Sequence, residues 1–132
     1  MNSHSNKDKI IIIDFGSQVT KLIARRIREM GVFSEILTLK EFEMRSLDNK
    51  VKGVVLSGGP ATVTKKNYPK ISQKVFSLNL PILGICYGLQ LVALNFKGKV
   101  KQSTKQREFG KSILVKKNNS IFSKNFFTKS KQ

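Results

Sequence analysis

The sequence is short of cysteine, histidine and acidic residues, and each shortage excludes something. A single cysteine, Cys86, among 132 residues leaves no room for an intramolecular disulfide framework or a cysteine-cluster metal site, and no metal is expected. A reducing, cytoplasmic setting follows as the expectation. Long apolar runs are also missing. The run Ile10 to Ile13 stops at Asp14, far short of the roughly 18 residues of a membrane helix or the 7–15 residues of a signal-peptide core, so neither a membrane span nor a secretory signal is expected. At 39% hydrophobic residues, a chain of this length can still bury roughly two-thirds of its unfolded surface in one core.

The acids are few and unevenly placed. Against 25 Lys and Arg stand 8 Asp and Glu, a net charge of +17. The excess lies late in the chain, where residues 97–132 set eleven basic residues against Glu108 alone. An anionic partner such as nucleic acid is one reading of this imbalance. A lysine-rich solvated surface whose acidic complement lies elsewhere fits better, because the lysines are scattered. No helix-turn-helix, zinc finger or aromatic stacking platform accompanies them.

Residues 1–9 read as a polar, disordered tail. Ile10 to Phe15 is a continuous β-branched run before a Gly-Ser turn, which suits a parallel strand covered on both faces. Apolar residues at Val19, Leu22, Ile23, Ile27 and Met30 then fall at helical period, and Gly31 closes that helix at its C′ position. Further strands are predicted over residues 32–39, 51–56 and 81–85, with helices over 68–78 and 89–96. Short strands are predicted over 99–102 and 112–115. Strands alternating with helices predict a doubly wound, mostly parallel α/β fold of the flavodoxin-like kind.

Gly84-Ile85-Cys86-Tyr87-Gly88 is the sharpest chemical feature. It has the form G-x-C-x-G between an apolar strand and a helix, the cysteine counterpart of the serine nucleophile elbow. Glycines at both ends let strand and helix pack around a tight turn that pushes the nucleophile out at the carboxyl edge of the sheet, where open α/β sheets bind ligands. The free amides of a helix N-terminus make a thiol placed there a better nucleophile, although a small buried cysteine would also fit by packing alone. Ser57-Gly58-Gly59-Pro60 follows the third strand and reaches the same edge. Adjacent glycines could turn an amide inward as an oxyanion-hole donor, or could simply form a strand-to-loop turn. The oxyanion candidates are the N–H of Gly59 and that of Tyr87, the residue after the nucleophile. Gln90 lies one helical turn beyond Cys86 and is the candidate for holding a polar substrate. Asp14 and Ser17 could cap the first helix or bind an anion at its start, capping being the simpler role. The lone histidine, His4, precedes the first strand and enters at the opposite edge, so it is a poor base for Cys86.

Asp14-Phe15-Gly16-Ser17-Gln18, Leu56-Ser57-Gly58-Gly59-Pro60, Gly84-Ile85-Cys86-Tyr87-Gly88-Leu89-Gln90 and Arg107-Glu108-Phe109-Gly110 together resemble the class I, or triad-type, glutamine amidotransferases. The first loop and the helix that follows are similar to the glutaminase domains of the GMP synthetase branch. The resemblance covers residues 8 to 122. It implies that Cys86 attacks the side-chain amide of glutamine, that Gly59 and Tyr87 amides hold the oxyanion, and that Gln90 helps hold the substrate. It implies as partner an ATP-pyrophosphatase synthetase domain or subunit, which uses the ammonia to convert xanthosine monophosphate to GMP. ATP and magnesium are implied for that part alone, and no cofactor for the glutaminase part. The family takes its base from a His-x-Glu motif well downstream of the cysteine, and residues 87–132 contain none. The expectation is a partial amidotransferase domain over residues 10–132, C-terminally incomplete and inactive by itself. A non-catalytic glutamine-binding or regulatory module is the alternative.

Overall fold

The computed structural model describes residues 7–61, 66, 70–102 and 121. Its elements, all within the compact unit that runs to Gln102, are β1 (Lys9–Asp14), α1 (Thr20–Glu29), β2 (Phe33–Thr38), α2 (Leu39–Met44), β3 (Val51–Leu56), α3 (Gln73–Ser77), β4 (Ile82–Gly84) and α4 (Tyr87–Asn95). The four strands form one sheet in the order β2-β1-β3-β4, and every pairing is parallel. The doubly wound α/β fold expected from the sequence is present.

β1 sits inside the sheet because its side chains can be buried on both faces. Ile11 and Ile13 point into a core with Leu37, Phe42, Val54, Leu56 and Val75. Ile12 points the other way, to Ala24 of α1 and Val55 of β3. An alternating polar residue on either face would have been left without water, so an unbroken isoleucine run is what this position requires. β1 begins at Lys9, one residue ahead of the apolar run. The Lys9 N–H donates to the Lys50 carbonyl at 2.9 Å, and its ammonium reaches Glu35 at 3.3 Å and Asp48 at 3.7 Å.

α1 ends as the sequence indicates. Gly31 adopts φ +83°, its N–H donates to the Arg28 carbonyl, and the Val32 N–H reaches back to the Ile27 carbonyl. These are the two bonds of a Schellman cap. The strand predicted over residues 32–39 stops at Thr38, and an unanticipated helix, α2, begins at once. Thr38 and Glu41 form a capping box: the Glu41 N–H donates to Thr38 Oγ1 at 3.2 Å, and the Thr38 N–H to Glu41 Oε2 at 2.7 Å. The other end of α2 is closed by Lys74, whose ammonium donates to the carbonyls of Phe42, Glu43 and Arg45 at 3.2, 3.1 and 2.7 Å. A positive charge on orphan carbonyls at a helix C-terminus is favourable on both counts.

Two further expectations need correction. The helix expected over 68–78 begins only after Ser72, whose extended backbone (ψ 155°) makes it the N-cap, and it is over before Asn79 takes φ 55°. Lys99 to Gln102 forms no strand. The strand expected over 112–115 and the Arg107-Glu108-Phe109-Gly110 motif lie outside the described residues. Among the described residues no helix is long and apolar enough to cross a membrane.

Two stability predictions follow from this packing. Phe42 is fully buried beneath Lys74, so Phe42→Ala should lower the unfolding free energy by about 3–5 kcal/mol, read from the urea midpoint. Burial raises the Glu35 carboxyl, but its hydrogen bonds and charge contacts with Arg45 and Lys9 outweigh that and hold it below the usual carboxylate value. A carboxylate held low in the folded state stabilises above its unfolded pKa and loses that contribution as pH falls through the folded one. Stability measured from neutral pH down to about pH 3 should therefore fall less steeply in Glu35→Gln than in the parent.

Candidate active site

All four strands are parallel, so the loops that leave β1, β3 and β4 emerge at one edge of the sheet. α1 packs on one face, in the core of Ile12 and Val55, while Phe42 of α2 and Val75 of α3 pack on the other. The chain thus changes direction between β1 and β3, the kind of switch point at whose carboxyl edge open α/β sheets bind ligands. Phe15 to Ser17, Ser57 to Gly59 and Cys86 come together there.

Cys86 has φ 52° and ψ −116°, a combination that an L-residue enters only under constraint. Such a conformation costs about 1–3 kcal/mol and persists when its surroundings fix both ends. Here they do. On the strand side, the Ile85 N–H donates to the Leu56 carbonyl at 2.9 Å. On the helix side, the Gly88 N–H reaches the carbonyls of Ser57 and Ile85 at 3.2 and 3.0 Å, and the Gln90 N–H reaches that of Cys86 at 3.2 Å. Cys86 is the N-cap of α4 and is exposed. The helix starts at Tyr87, two residues earlier than expected, because it takes up the chain directly from the elbow.

Gly88 shows why the motif needs a glycine there. A methyl group at Gly88 would stand 2.0 Å from the Leu56 carbonyl oxygen, so only a residue without Cβ lets α4 approach β3 this closely. The glycine pair after β3 likewise permits close approach. Neither Gly58 nor Gly59 adopts a positive φ; each is small because something lies against it. A methyl on Gly58 would be 3.2 Å from Cys86 Cβ, and one on Gly59 would be 2.2 Å from the Phe15 carbonyl oxygen. The pair is wedged between Cys86 and the β1 loop.

Tyr87 is buried, and its ring meets that of Phe15 edge-on with centroids 5.1 Å apart. Its side chain therefore ties α4 to the β1 loop, while its N–H is that of the first helical residue. Gln90, half-buried, lies one turn along the same helix. Cys86, Tyr87, Gly59 and Gln90 are thus gathered at one edge. His4 lies outside the described residues. Among those residues no group of three or more His, Cys, Asp or Glu is close enough to hold a metal ion.

The β1 loop differs from its expected role. The N-cap of α1 is Val19, and no side chain caps it. Asp14 Oδ1 instead accepts from the Gly16 N–H at 2.9 Å and faces Thr20 Oγ1 at 3.0 Å, while Ser17 Oγ accepts from the Val19 N–H at 3.1 Å. Thr20 Oγ1 also lies 3.1 Å from Ser57 Oγ, and both residues are buried. This pair of hydroxyls joins the start of α1 to the β3 loop next to Gly58 and was not anticipated as part of the site. The only sequence trace of it is a hydroxyl residue directly after each loop's strand or turn.

Residues 11–132 match the family model described as glutamine amidotransferase class-I. A protein of Ligilactobacillus salivarius named GMP synthase [glutamine-hydrolyzing] is 47% identical over 111 residues, which are 84% of this chain and 21% of that protein. One of the same name from Helicobacter pylori is 49% identical over 112 residues, 85% of this chain and 22% of that protein. The chain spans about a fifth to a quarter of the length of the curated relatives it matches. Among solved structures, one of a Thermoplasma acidophilum protein described as a GMP synthase subunit superposes with a TM-score of 0.58 at 31% identity, covering 81% of this chain and 53% of that one. With an elbow cysteine at the carboxyl edge of a parallel sheet and a family match that runs from β1 onward, the chain belongs to the class I glutamine amidotransferases.

Proposed function

We propose that this chain is the glutamine-hydrolysing module of a GMP synthase, with Cys86 as its nucleophile. The observation that carries this reading is the strained Cys86 backbone, which presents an exposed thiol at the start of α4 against Gly58. The names borne by the relatives support the choice of branch.

In the proposed reaction the Cys86 thiolate attacks the side-chain amide carbon of glutamine, and the carbonyl oxygen becomes an oxyanion. The N–H groups of Gly59 and Tyr87 stabilise that oxygen, as preorganised amide donors do in acyl transfer. Collapse of the intermediate, with a proton delivered to nitrogen, breaks the carbon–nitrogen bond and releases ammonia. The γ-glutamyl thioester that remains is attacked by water, giving glutamate and the free thiol. Gln90, one turn beyond Cys86 on α4, is the residue assigned to help hold the bound glutamine. The ammonia goes to an ATP-dependent synthetase domain or subunit, which aminates xanthosine monophosphate to GMP. A cytoplasmic location suits a free thiol with this role.

Proton transfer is the step that residues 1–132 support least. No histidine follows Cys86 in this sequence, and a positioned acid–base group contributes about 10²–10⁴-fold to such reactions. A polypeptide of these residues should therefore bind glutamine and carry a reactive thiol while releasing ammonia slowly, unless a further segment or a partner supplies the base. The chloroketone analogue of glutamine tests this. It should label Cys86 with saturable kinetics and be blocked by glutamine but not by glutamate, while ammonia release stays near background. Labelling that is linear in reagent and indifferent to glutamine would overturn the reading. Rapid ammonia release abolished by Cys86→Ala would keep the nucleophile but contradict the need for an added base.

A further inference from the structure

We propose that Ser57, supported by Thr20, is a positioning residue that fixes which way the Gly58–Gly59 peptide faces at Cys86. The proposal rests on the reading of Cys86 as the glutamine nucleophile and of the Gly59 N–H as an oxyanion donor. It begins with Ser57, whose side chain is fully buried directly after β3. The Ser57 backbone is held on both sides: its N–H donates to the Ile13 carbonyl at 3.1 Å, and its carbonyl accepts from the Gly88 N–H at 3.2 Å. One residue thus connects β1 with the first turn of the helix that carries the nucleophile.

The Ser57 hydroxyl donates to the carbonyl of Gly58 at 3.3 Å. That carbonyl belongs to the same peptide unit as the Gly59 N–H. No peptide bond among the described residues is cis, and across a planar trans peptide the C=O and N–H point in opposite directions. A hydroxyl that holds the Gly58 oxygen toward the interior therefore turns the Gly59 N–H away from it. The peptide has little room to do otherwise, since Gly58 lies against Cys86 Cβ and Gly59 against the Phe15 carbonyl.

Thr20 keeps the serine oxygen in place. Its hydroxyl, on a residue only 2% exposed, lies 3.1 Å from Ser57 Oγ and 3.0 Å from Asp14 Oδ1. When its single proton points to Ser57, the serine proton is left for the Gly58 carbonyl, and donation runs from Thr20 through Ser57 to the oxyanion peptide. A buried hydroxyl left unpaired costs more than an apolar side chain would, so Ser57 keeps its polarity here through its bonds to Thr20 and the Gly58 carbonyl.

The test compares two reagents at the one thiol of the full chain. The glutamine chloroketone forms its adduct fastest when its carbonyl oxygen is held by the amides, whereas iodoacetamide reads only the exposure and ionisation of Cys86. Ser57→Ala should lower the chloroketone labelling rate about tenfold or more, the order expected when an oxyanion donor is misdirected, while iodoacetamide labelling stays within about twofold. Thr20→Val should move the chloroketone rate in the same direction, and Thr20→Ser should return it toward the parent. The threonine pair decides the matter if Ser57→Ala does not fold. Equal loss with both reagents would mean that the hydroxyls only support the fold, and would overturn the proposal. So would a Thr20→Ser chain no better than Thr20→Val, or variants whose chloroketone rates match the parent. If the parent itself shows no glutamine-protected labelling, the functional reading fails, and this proposal with it.

Discussion

Between the last residue of β4 and the first of α4 lie only Ile85 and Cys86, and within those two residues the chain must turn from extended to helical. Cys86 absorbs the turn by adopting a backbone conformation that side chains resist. The strain is local, but what holds it is not. Hydrogen bonds from Ile85 and Gly88 to the end of β3, and the absence of a Cβ at Gly88, fix strand and helix so firmly against β3 that the cysteine has no relaxed alternative. The exposed thiol is a consequence of that fixed geometry. Substitutions that let α4 back away from β3 would relieve the strain and withdraw the thiol together.

The sheet makes the elbow useful. Burial of β1 on both faces places it between β2 and β3, and parallel pairing sends every strand's carboxyl end to one edge. The Phe15–Ser17 loop, the Ser57–Gly59 loop and Cys86 meet there without any of them needing a long insertion. Contacts that join these loops are short-range and mixed in kind. Phe15 meets Tyr87 through ring edges, Gly59 meets the Phe15 carbonyl through close packing, and Thr20 meets Ser57 through buried hydroxyls. The site is therefore positioned by the scaffold's edge and trimmed by a few contacts of high specificity.

Much of this could be read from the sequence because the signals were local. The isoleucine run, the Gly31 stop and the Gly84-x-Cys86-x-Gly88 spacing each act over a few residues, and each of these features appeared where expected. α2 escaped because Val32 to Leu39 reads as one strand, and the Thr38-x-x-Glu41 capping box that interrupts it is weak until its hydrogen bonds are seen. The helix before β4 came out shorter because Ser72 competes for the N-cap well inside the apolar stretch. Gly58 and Gly59 also supply close approach, with neither at a positive φ, and packing of that kind leaves no local mark in the sequence. Thr20 and Ser57 are 37 positions apart, and nothing local distinguishes a hydroxyl that will be buried against another from one that faces water.

If the elbow and the two amides form one preorganised pocket for the oxygen of a glutamine side chain, that pocket can be seen directly. The most direct measurement is the crystal structure of the chain after Cys86 has reacted with the glutamine chloroketone. The adduct oxygen should lie about 2.7–3.1 Å from the N–H groups of both Gly59 and Tyr87, with the Gly58 carbonyl still on the Ser57 hydroxyl. An adduct oxygen turned to solvent, or a Gly58–Gly59 peptide with its carbonyl facing the thiol, would contradict it.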